Sequence, residues 1–169
     1  LGLGVLEATI NPVPPDSRFF LWRGQGQWAR RLGRDALFLL SGNVQLADGP
    51  LVPSEQFGLG GATTVRGYRP NSLLTDNGWR LSSEVRLPLL RIPEIEGLLQ
   101  VAPFFDIGGG WNNGDFPEPP QSHISSTGLG VIWNMGEDFN ARLDWGIPLV
   151  SGDTLQDSGV LFRVNFSPF

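Results

Sequence analysis

The arginines and carboxylates of this chain are the residues whose types could do chemistry, and that chemistry is ion pairing. All twelve basic residues are arginine, and the 169-residue chain has one histidine and no cysteine. One arginine, Arg66, stands in the segment Val65-Arg66-Gly67-Tyr68, and one aspartate, Asp106, stands in Phe104-Phe105-Asp106-Ile107-Gly108. A guanidinium held in a narrow polar space needs a partner, and a planar carboxylate can accept it through two parallel hydrogen bonds.

Catalysis and nucleic-acid binding each require residues that this sequence does not offer. The single histidine, His123, follows Pro119-Pro120 without a nucleophile signature nearby, and is predicted to be a solvated loop residue. Paired carboxylates could in principle do acid–base work, but no Walker, G-x-S-x-G or metal-ligand spacing is present. The net charge of −5 argues against a basic nucleic-acid footprint, and the lack of cysteine excludes disulfides and thiolate metal sites. The sequence therefore predicts no enzyme, no metal, no cofactor and no nucleic-acid partner.

The elements that carry the charged residues alternate between apolar and polar side chains with a period of two, which is typical of β-strands. In residues 139–147 the odd positions are apolar and the even positions are polar or glycine. Residues 79–89 show the same alternation, with Arg80, Glu84 and Arg86 on the polar side. Eight strands are predicted, at 1–8, 20–32, 36–46, 79–89, 99–111, 125–133, 139–147 and 160–166.

Strands of about 9–11 residues that are apolar outside and polar inside are typical of a membrane β-barrel, with short connections at one end and longer ones at the other. The short predicted connections, 33–35, 90–98 and 135–138, alternate with long ones at 48–78, 112–123 and 149–158. The tryptophans fall where an interfacial aromatic belt would hold them: Trp22, Trp28, Trp79, Trp111, Trp133 and Trp145. The predicted fold class is an all-β, antiparallel transmembrane β-barrel. A soluble β-sandwich or lipocalin-like barrel is the alternative.

The longest predicted connection, 48–78, is rich in glycine and contains Arg66. A connection this long in a compact domain is usually functional or disordered. Its segment 57–68 resembles the sixth extracellular loop of the outer-membrane assembly and transport superfamily, and 104–108 follows that superfamily's F-x-D-x-G strand pattern. The resemblance implies that the loop folds back into the barrel, that Val65-Arg66-Gly67-Tyr68 lies on the inner wall, and that Arg66 pairs with Asp106. Without it, Arg66 would be interpreted as a solvated loop arginine.

Three further segments, 55–61, 84–88 and 141–149, are similar to two-partner-secretion transporters of the hemolysin secretion/activation type (TpsB). The barrel-assembly (BamA) branch of the superfamily is less similar. The resemblance implies that residues 1–169 are the C-terminal half of a sixteen-stranded barrel domain, without a periplasmic POTRA domain in this chain. An eight-stranded barrel is nearly filled by its own side chains, so a long inward loop favours the interpretation as part of a larger barrel.

Two further groups of residues complete the predicted sites. Charges on the polar faces, predicted to form networks along the wall, are Arg23, Arg31, Arg80, Glu84, Arg86, Arg142, Asp144 and Arg163. The C-terminal segment resembles the terminal strand that the barrel-assembly machinery recognises, with apolar residues at Phe162, Val164, Phe166 and Phe169. Phe169 is out of phase with the other three, and Pro168 cannot donate a ladder hydrogen bond. An edge strand with a disordered tail is therefore the alternative.

The function expected from the resemblance is passive secretion of an unfolded client polypeptide through a pore in the bacterial outer membrane. The expected partners are outer-membrane lipid, the secreted polypeptide and, during biogenesis, the barrel-assembly machinery. A catalyst of membrane-barrel insertion that uses an exposed strand edge is the second hypothesis. An outer-membrane barrel enzyme is the third, and the position of His123 disfavours it.

Overall fold

The structure, a computed structural model, describes residues 19–33, 36–114, 119, 121–136, 139–150 and 159–166, with the backbone alone at 162 and 164–166. Seven strands form one antiparallel sheet in the order β1-β2-β5-β6-β7-β8-β9, and β3 pairs with β4 in a separate hairpin. The strands are β1 Leu21–Leu32, β2 Ala36–Ala47, β3 Phe57–Leu59, β4 Leu73–Thr75, β5 Asn77–Ile92, β6 Gly97–Trp111, β7 His123–Met135, β8 Phe139–Pro148 and β9 Val160–Phe166. Among the described residues, no helix is long and apolar enough to span a membrane.

The cross-strand register divides the main sheet into two faces that match the sequence alternation. One face, called the apolar face, carries Trp79 and Leu81 of β5, which pair with Val44 and Gly42 of β2. The opposite face, called the inner face, carries Arg80, Ser82 and Glu84 of β5 and their partners on the neighbouring strands. The all-β, antiparallel fold class predicted from the alternation is confirmed.

The seven predicted strand positions that fall within the described residues are confirmed within a few residues, and the largest differences lie around the predicted connection 90–98. β5 continues to Ile92 because a β-bulge at Leu89 shifts the register with β6 and lets the pairing resume at Leu90. The connection then shrinks to a 3₁₀ turn, Pro93–Ile95, followed by Glu96 with a left-handed φ of 49°. The extra residue of a bulge interrupts the period of two, so a prediction from alternation ends the strand too early.

Three other predictions differ from the structure or fall outside it. His123 is the first residue of β7 and not a loop residue, since the strand begins two residues earlier than its alternation suggested. The predicted connection 48–78 ends at Asp76 and contains the β3–β4 hairpin. The predicted first strand, 1–8, lies outside the described residues, so the sheet has seven described strands against eight expected.

The segment 48–76, called the long loop below, lies against the inner face and forms a hydrophobic core there. The buried cluster joins four residues of the loop to one of β7: Leu59, Val65, Tyr68, Leu73 and Ile124. Tyr68, Val65 and Leu59 have no exposed surface. The largest fully buried apolar side chains therefore lie between the long loop and the wall, while the apolar face keeps its large side chains exposed.

Candidate functional site at the tip of the long loop

Glycines on the inner face give the long loop the room to approach the wall. A Cβ atom at Gly146 of β8 would lie 2.6 Å from the backbone nitrogen of Gly67, closer than real Cβ contacts. Gly67 itself has a φ of 93°, which other residues rarely adopt. Other inner-face glycines lie under loop side chains in the same way: Gly78 under Phe57, Gly108 under Leu59 and Gly110 under Thr75. The wall is therefore shaped to the loop along several strands.

Arg66 at the loop tip forms a two-pronged ion pair with Asp106 of β6. Its Nε donates to Asp106 Oδ2 at 2.7 Å and its Nη2 donates to Oδ1 at 2.8 Å. The backbone nitrogen of Arg66 donates to the same Oδ2 at 3.1 Å, and the Ser82 hydroxyl donates to Oδ1 at 2.6 Å. The guanidinium carbon lies 3.5 Å from the centre of the Phe104 ring, in cation–π geometry. Asp106 is fully buried and Arg66 is 6% exposed, so the pair is shielded from water.

Two more carboxylates and two more arginines surround this pair. Arg66 Nη1 lies 2.8 Å from Glu84 Oε2 on β5 and 3.4 Å from Asp144 Oδ1 on β8. Arg142 joins the same two carboxylates, with Nη2 at 2.7 Å from Glu84 Oε2 and Nε at 2.6 Å from Asp144 Oδ2. Arg86 completes the group through its Nε, 2.8 Å from Glu84 Oε1. We call these residues the charge cluster: Arg66, Glu84, Arg86, Asp106, Arg142 and Asp144.

The charge cluster contains three guanidinium groups and three carboxylates, so its formal charges balance. Removing one member of a buried ionic network leaves an uncompensated charge in a poorly solvated place, which is strongly destabilising. Five members stand on the wall and one, Arg66, comes from the loop. What the arrangement can do chemically is hold the loop tip against three strands, because each of its carboxylates is paired with at least one guanidinium group.

Tyr68 fixes the other side of the loop tip to the connection that follows β8. Its hydroxyl lies 2.8 Å from the carbonyl oxygen of Ser125 and 2.9 Å from that of Val150, and it accepts from the backbone nitrogen of Val150 at 3.1 Å. Gly61 donates its backbone N–H to the Tyr68 carbonyl at 3.0 Å and closes the tip upon itself. Position 68 therefore links the loop to β7 and to the chain after β8.

The base of the long loop has a separate polar anchor around Asp76. Asp76 is 2% exposed and accepts backbone N–H groups of Leu51 at 3.0 Å and Asn113 at 2.9 Å, together with the Gln56 amide at 3.1 Å. Asn113 in turn donates to the carbonyl oxygens of Ala47 and Gly49, both at 3.0 Å. The anchor ties both ends of the loop to the connection after β6.

The remaining predicted site residues lie outside the charge cluster. Gly108 lies on β6 under Leu59, and Val65 is buried in the hydrophobic core of the loop. Arg80 is partly buried on β5, and Arg163 is exposed on β9 opposite Arg142. Phe162, Val164 and Phe166 stand in β9, of which only the backbone is described at these positions, and Phe169 lies outside the described residues.

Sequence reasoning did not predict that Glu84, Arg142 and Asp144 form one network with Arg66. They were expected as wall charges, and the network depends on how deeply the loop enters. The inner-face glycines of β7 are a sequence signal for close packing of these wall side chains. Gly128 leaves room for the Phe104 ring, and Gly130 leaves room for Asp144. Among the described residues, no group of three or more histidines, aspartates and glutamates could hold a metal ion.

Comparison with known proteins places the sequence in a defined family. A model of the haemolysin secretion/activation protein ShlB/FhaC/HecB family matches residues 1–132. The outer membrane transporter CdiB of Escherichia coli is 26% identical over 141 residues, which are 83% of this chain and 24% of that protein. The same protein from Escherichia coli O6:K15:H31 (strain 536 / UPEC) gives the same identity and coverage. The chain thus spans about a quarter of the length of these relatives.

Solved structures agree with the fold described above. CdiB from Escherichia coli superposes with a TM-score of 0.73 at 24% identity, over 88% of this chain and 27% of that one. CdiB from Acinetobacter baumannii superposes with a TM-score of 0.68 at 28% identity, over 89% and 27%. Because the family match extends over most of the sequence, this chain belongs to the haemolysin secretion/activation protein family ShlB/FhaC/HecB.

Proposed function

We propose that this chain is one section of the wall of an outer-membrane pore that secretes a partner protein, and that the long loop is latched inside the pore by Arg66. The observation that carries the proposal is the burial of Arg66 among carboxylates from three wall strands. Family membership and the similarity to proteins named outer membrane transporters support the location and the transport role.

The two faces of the sheet suit this role. The apolar face exposes large side chains such as Trp79, Leu81, Leu129 and Trp145, which fit a lipid environment. The inner face offers polar side chains to a wet interior, including Gln25 and Asn43 at positions that the register sets opposite each other. An unfolded client would cross such an interior without a nucleotide, and folding of the client outside would supply the direction.

The latch works through the cost of leaving charges unpaired. If Arg66 left the cluster, Asp106 would lose the two guanidinium contacts and Glu84 would lose one. Breaking a buried pair in this way costs roughly 3–5 kcal/mol. Because of this cost, the intact latch holds the loop in one position on the wall, and the pore keeps one conducting shape.

Secretion by the full-length transporter tests the proposal. Replacing Arg66 or Asp106 by alanine should lower secretion of the partner protein at least about tenfold, because either change removes the latch. Arg69→Ala is the matched control, since Arg69 is in the same loop, carries the same charge and is exposed. The amount of folded barrel in the outer membrane, measured by heat-modifiable migration in electrophoresis, separates a secretion defect from an assembly defect. Normal secretion by folded Arg66→Ala and Asp106→Ala barrels would contradict the latch.

A further inference from the structure

Arg30 is an exception among the charged residues of the described strands, which otherwise take inner-face positions. It pairs with Phe38 of β2, which pairs in turn with Val85 of β5, so Arg30 lies on the apolar face. Every other arginine, aspartate and glutamate in the described strands takes an inner-face position: Arg23, Arg31, Arg80, Glu84, Arg86, Arg91, Asp106, Arg142, Asp144 and Arg163. A charge on a lipid-facing surface is costly, and the cost is smallest near the membrane interfaces.

The position of Arg30 along β1 corresponds to an interface. It stands two residues before Leu32, the last residue of the strand, and β1 is followed by a short connection. At a rise of about 3.3 Å per residue and a tilt of about 45°, two residues place Arg30 about 5 Å in depth from the strand end. Trp28, two residues earlier on the same face, packs edge-on against Phe38 with ring centres 5.8 Å apart. Aromatic residues at this level mark the boundary between hydrocarbon and headgroups.

The side chain of Arg30 is available to a ligand from the membrane. The residue is exposed, and within the described residues no carboxylate forms an ion pair with it. A long arginine side chain can lay its stem along apolar surface and turn its guanidinium towards the interface. The anions available at that level are phosphates of lipid headgroups, and the guanidinium fork matches a phosphate through paired hydrogen bonds.

We propose that Arg30 binds the headgroup phosphate of a phospholipid, in the leaflet at the end of the barrel that carries the short connections. Trp28 and Phe38 form the apolar neighbourhood of this site, and the acyl chains continue along the apolar face. The inference rests on the membrane location in the proposed function, and it is independent of client secretion and of the latch.

Photolabelling of the full-length transporter in vesicles tests the site. The probes are a phosphatidylglycerol with a photoreactive headgroup and a diacylglycerol with the same reactive group but no phosphate. Mass spectrometry then measures adducts in the β1–β2 segment. Arg30→Gln should reduce phosphatidylglycerol adducts there about fivefold, as expected for one arginine at a membrane surface. Arg31→Gln is the matched control, because the neighbouring arginine faces the inside, and it should leave the adducts unchanged.

The remaining outcomes distinguish failure of the phosphate site at Arg30 from failure of the membrane location on which it rests. Arg30→Lys should retain most of the adducts, since the positive charge stays, and this variant covers the case in which Arg30→Gln does not fold. Equal labelling of folded wild-type and Arg30→Gln protein, equal loss in Arg31→Gln, or equal labelling by the phosphate-free lipid would overturn the phosphate site. Absence of lipid adducts from the whole apolar face would overturn the membrane location instead.

Discussion

Arg66 satisfies several partners at once because its guanidinium is a planar fork. Nε and Nη2 contact the two oxygens of Asp106, Nη1 contacts Glu84, and the face of the group rests on Phe104. An ammonium group is a compact charge with three donors on a flexible stem and cannot reproduce this arrangement. The geometry therefore explains why this position requires arginine and not only a positive charge.

Arg66→Lys is predicted to weaken the latch without removing the charge. Lysine can pair with Asp106 or Glu84, but it loses the two-pronged contact and the stacking on Phe104. We expect secretion by the full-length transporter to fall about tenfold, a change of about 1.4 kcal/mol. Arg69→Lys is the control at an exposed position of the same loop. Secretion at the wild-type level by Arg66→Lys would show that charge alone suffices.

At the scale of single residues, the sequence indicated candidate side chains but not all the contacts that the structure shows. The resemblance implies that Arg66 pairs with Asp106, and in the structure Arg66 Nε lies 2.7 Å from Asp106 Oδ2. The additional contacts of Arg66 with Glu84 and Asp144 depend on the depth of the loop and on the twist of the sheet. Neither quantity is encoded in a local pattern, so they could not be obtained from the sequence.

At the scale of elements, strand positions were predictable where alternation is long and regular. β2, β6 and β8 differ from their predicted ranges by at most two residues at either end. The predicted end of β5 is too early because of the bulge at Leu89. The β3–β4 hairpin was missed because strands of three residues are too short to show a period.

The fit between the long loop and β8 leads to a steric prediction. In Gly146→Ala the new methyl group would lie 2.6 Å from the Gly67 nitrogen, and the atom it meets is backbone that cannot rotate away. Overpacking of this kind typically costs about 1–3 kcal/mol, so the loop tip should be displaced and its proteolytic cleavage accelerated.

Gly26→Ala is the matched control for this substitution. Gly26 is a strand glycine, and nothing lies within 4 Å of the position that a methyl group would take there, so protease sensitivity of the loop should stay at the wild-type level. Equal cleavage of the loop in the wild type and in folded Gly146→Ala would show that the tip does not rest on β8 in the membrane.

At the scale of the whole molecule, the described sheet is a section of wall with the long loop packed on its inner face. β1 and β9 are the two edges of this section among the described strands. Its buried core is provided mainly by the loop, whose tip is held by the charge cluster and whose base is held by Asp76. Loss of the tip contacts should therefore free the middle of the loop while its base stays attached.

The position of the loop inside the full-length transporter is the most direct test of the latch. This chain contains no cysteine, and with any cysteine elsewhere in the transporter replaced, labels are attached to cysteines introduced at Thr63, an exposed residue beside the tip, and at Gln27 of β1 on the inner face. Pulsed electron spin resonance between the two labels reports the distribution of their distances. If the charge cluster holds the loop, the wild type and Arg69→Ala should give one narrow distribution, and Arg66→Ala should give a broad one. A distribution that stays narrow and unshifted in Arg66→Ala would contradict the latch.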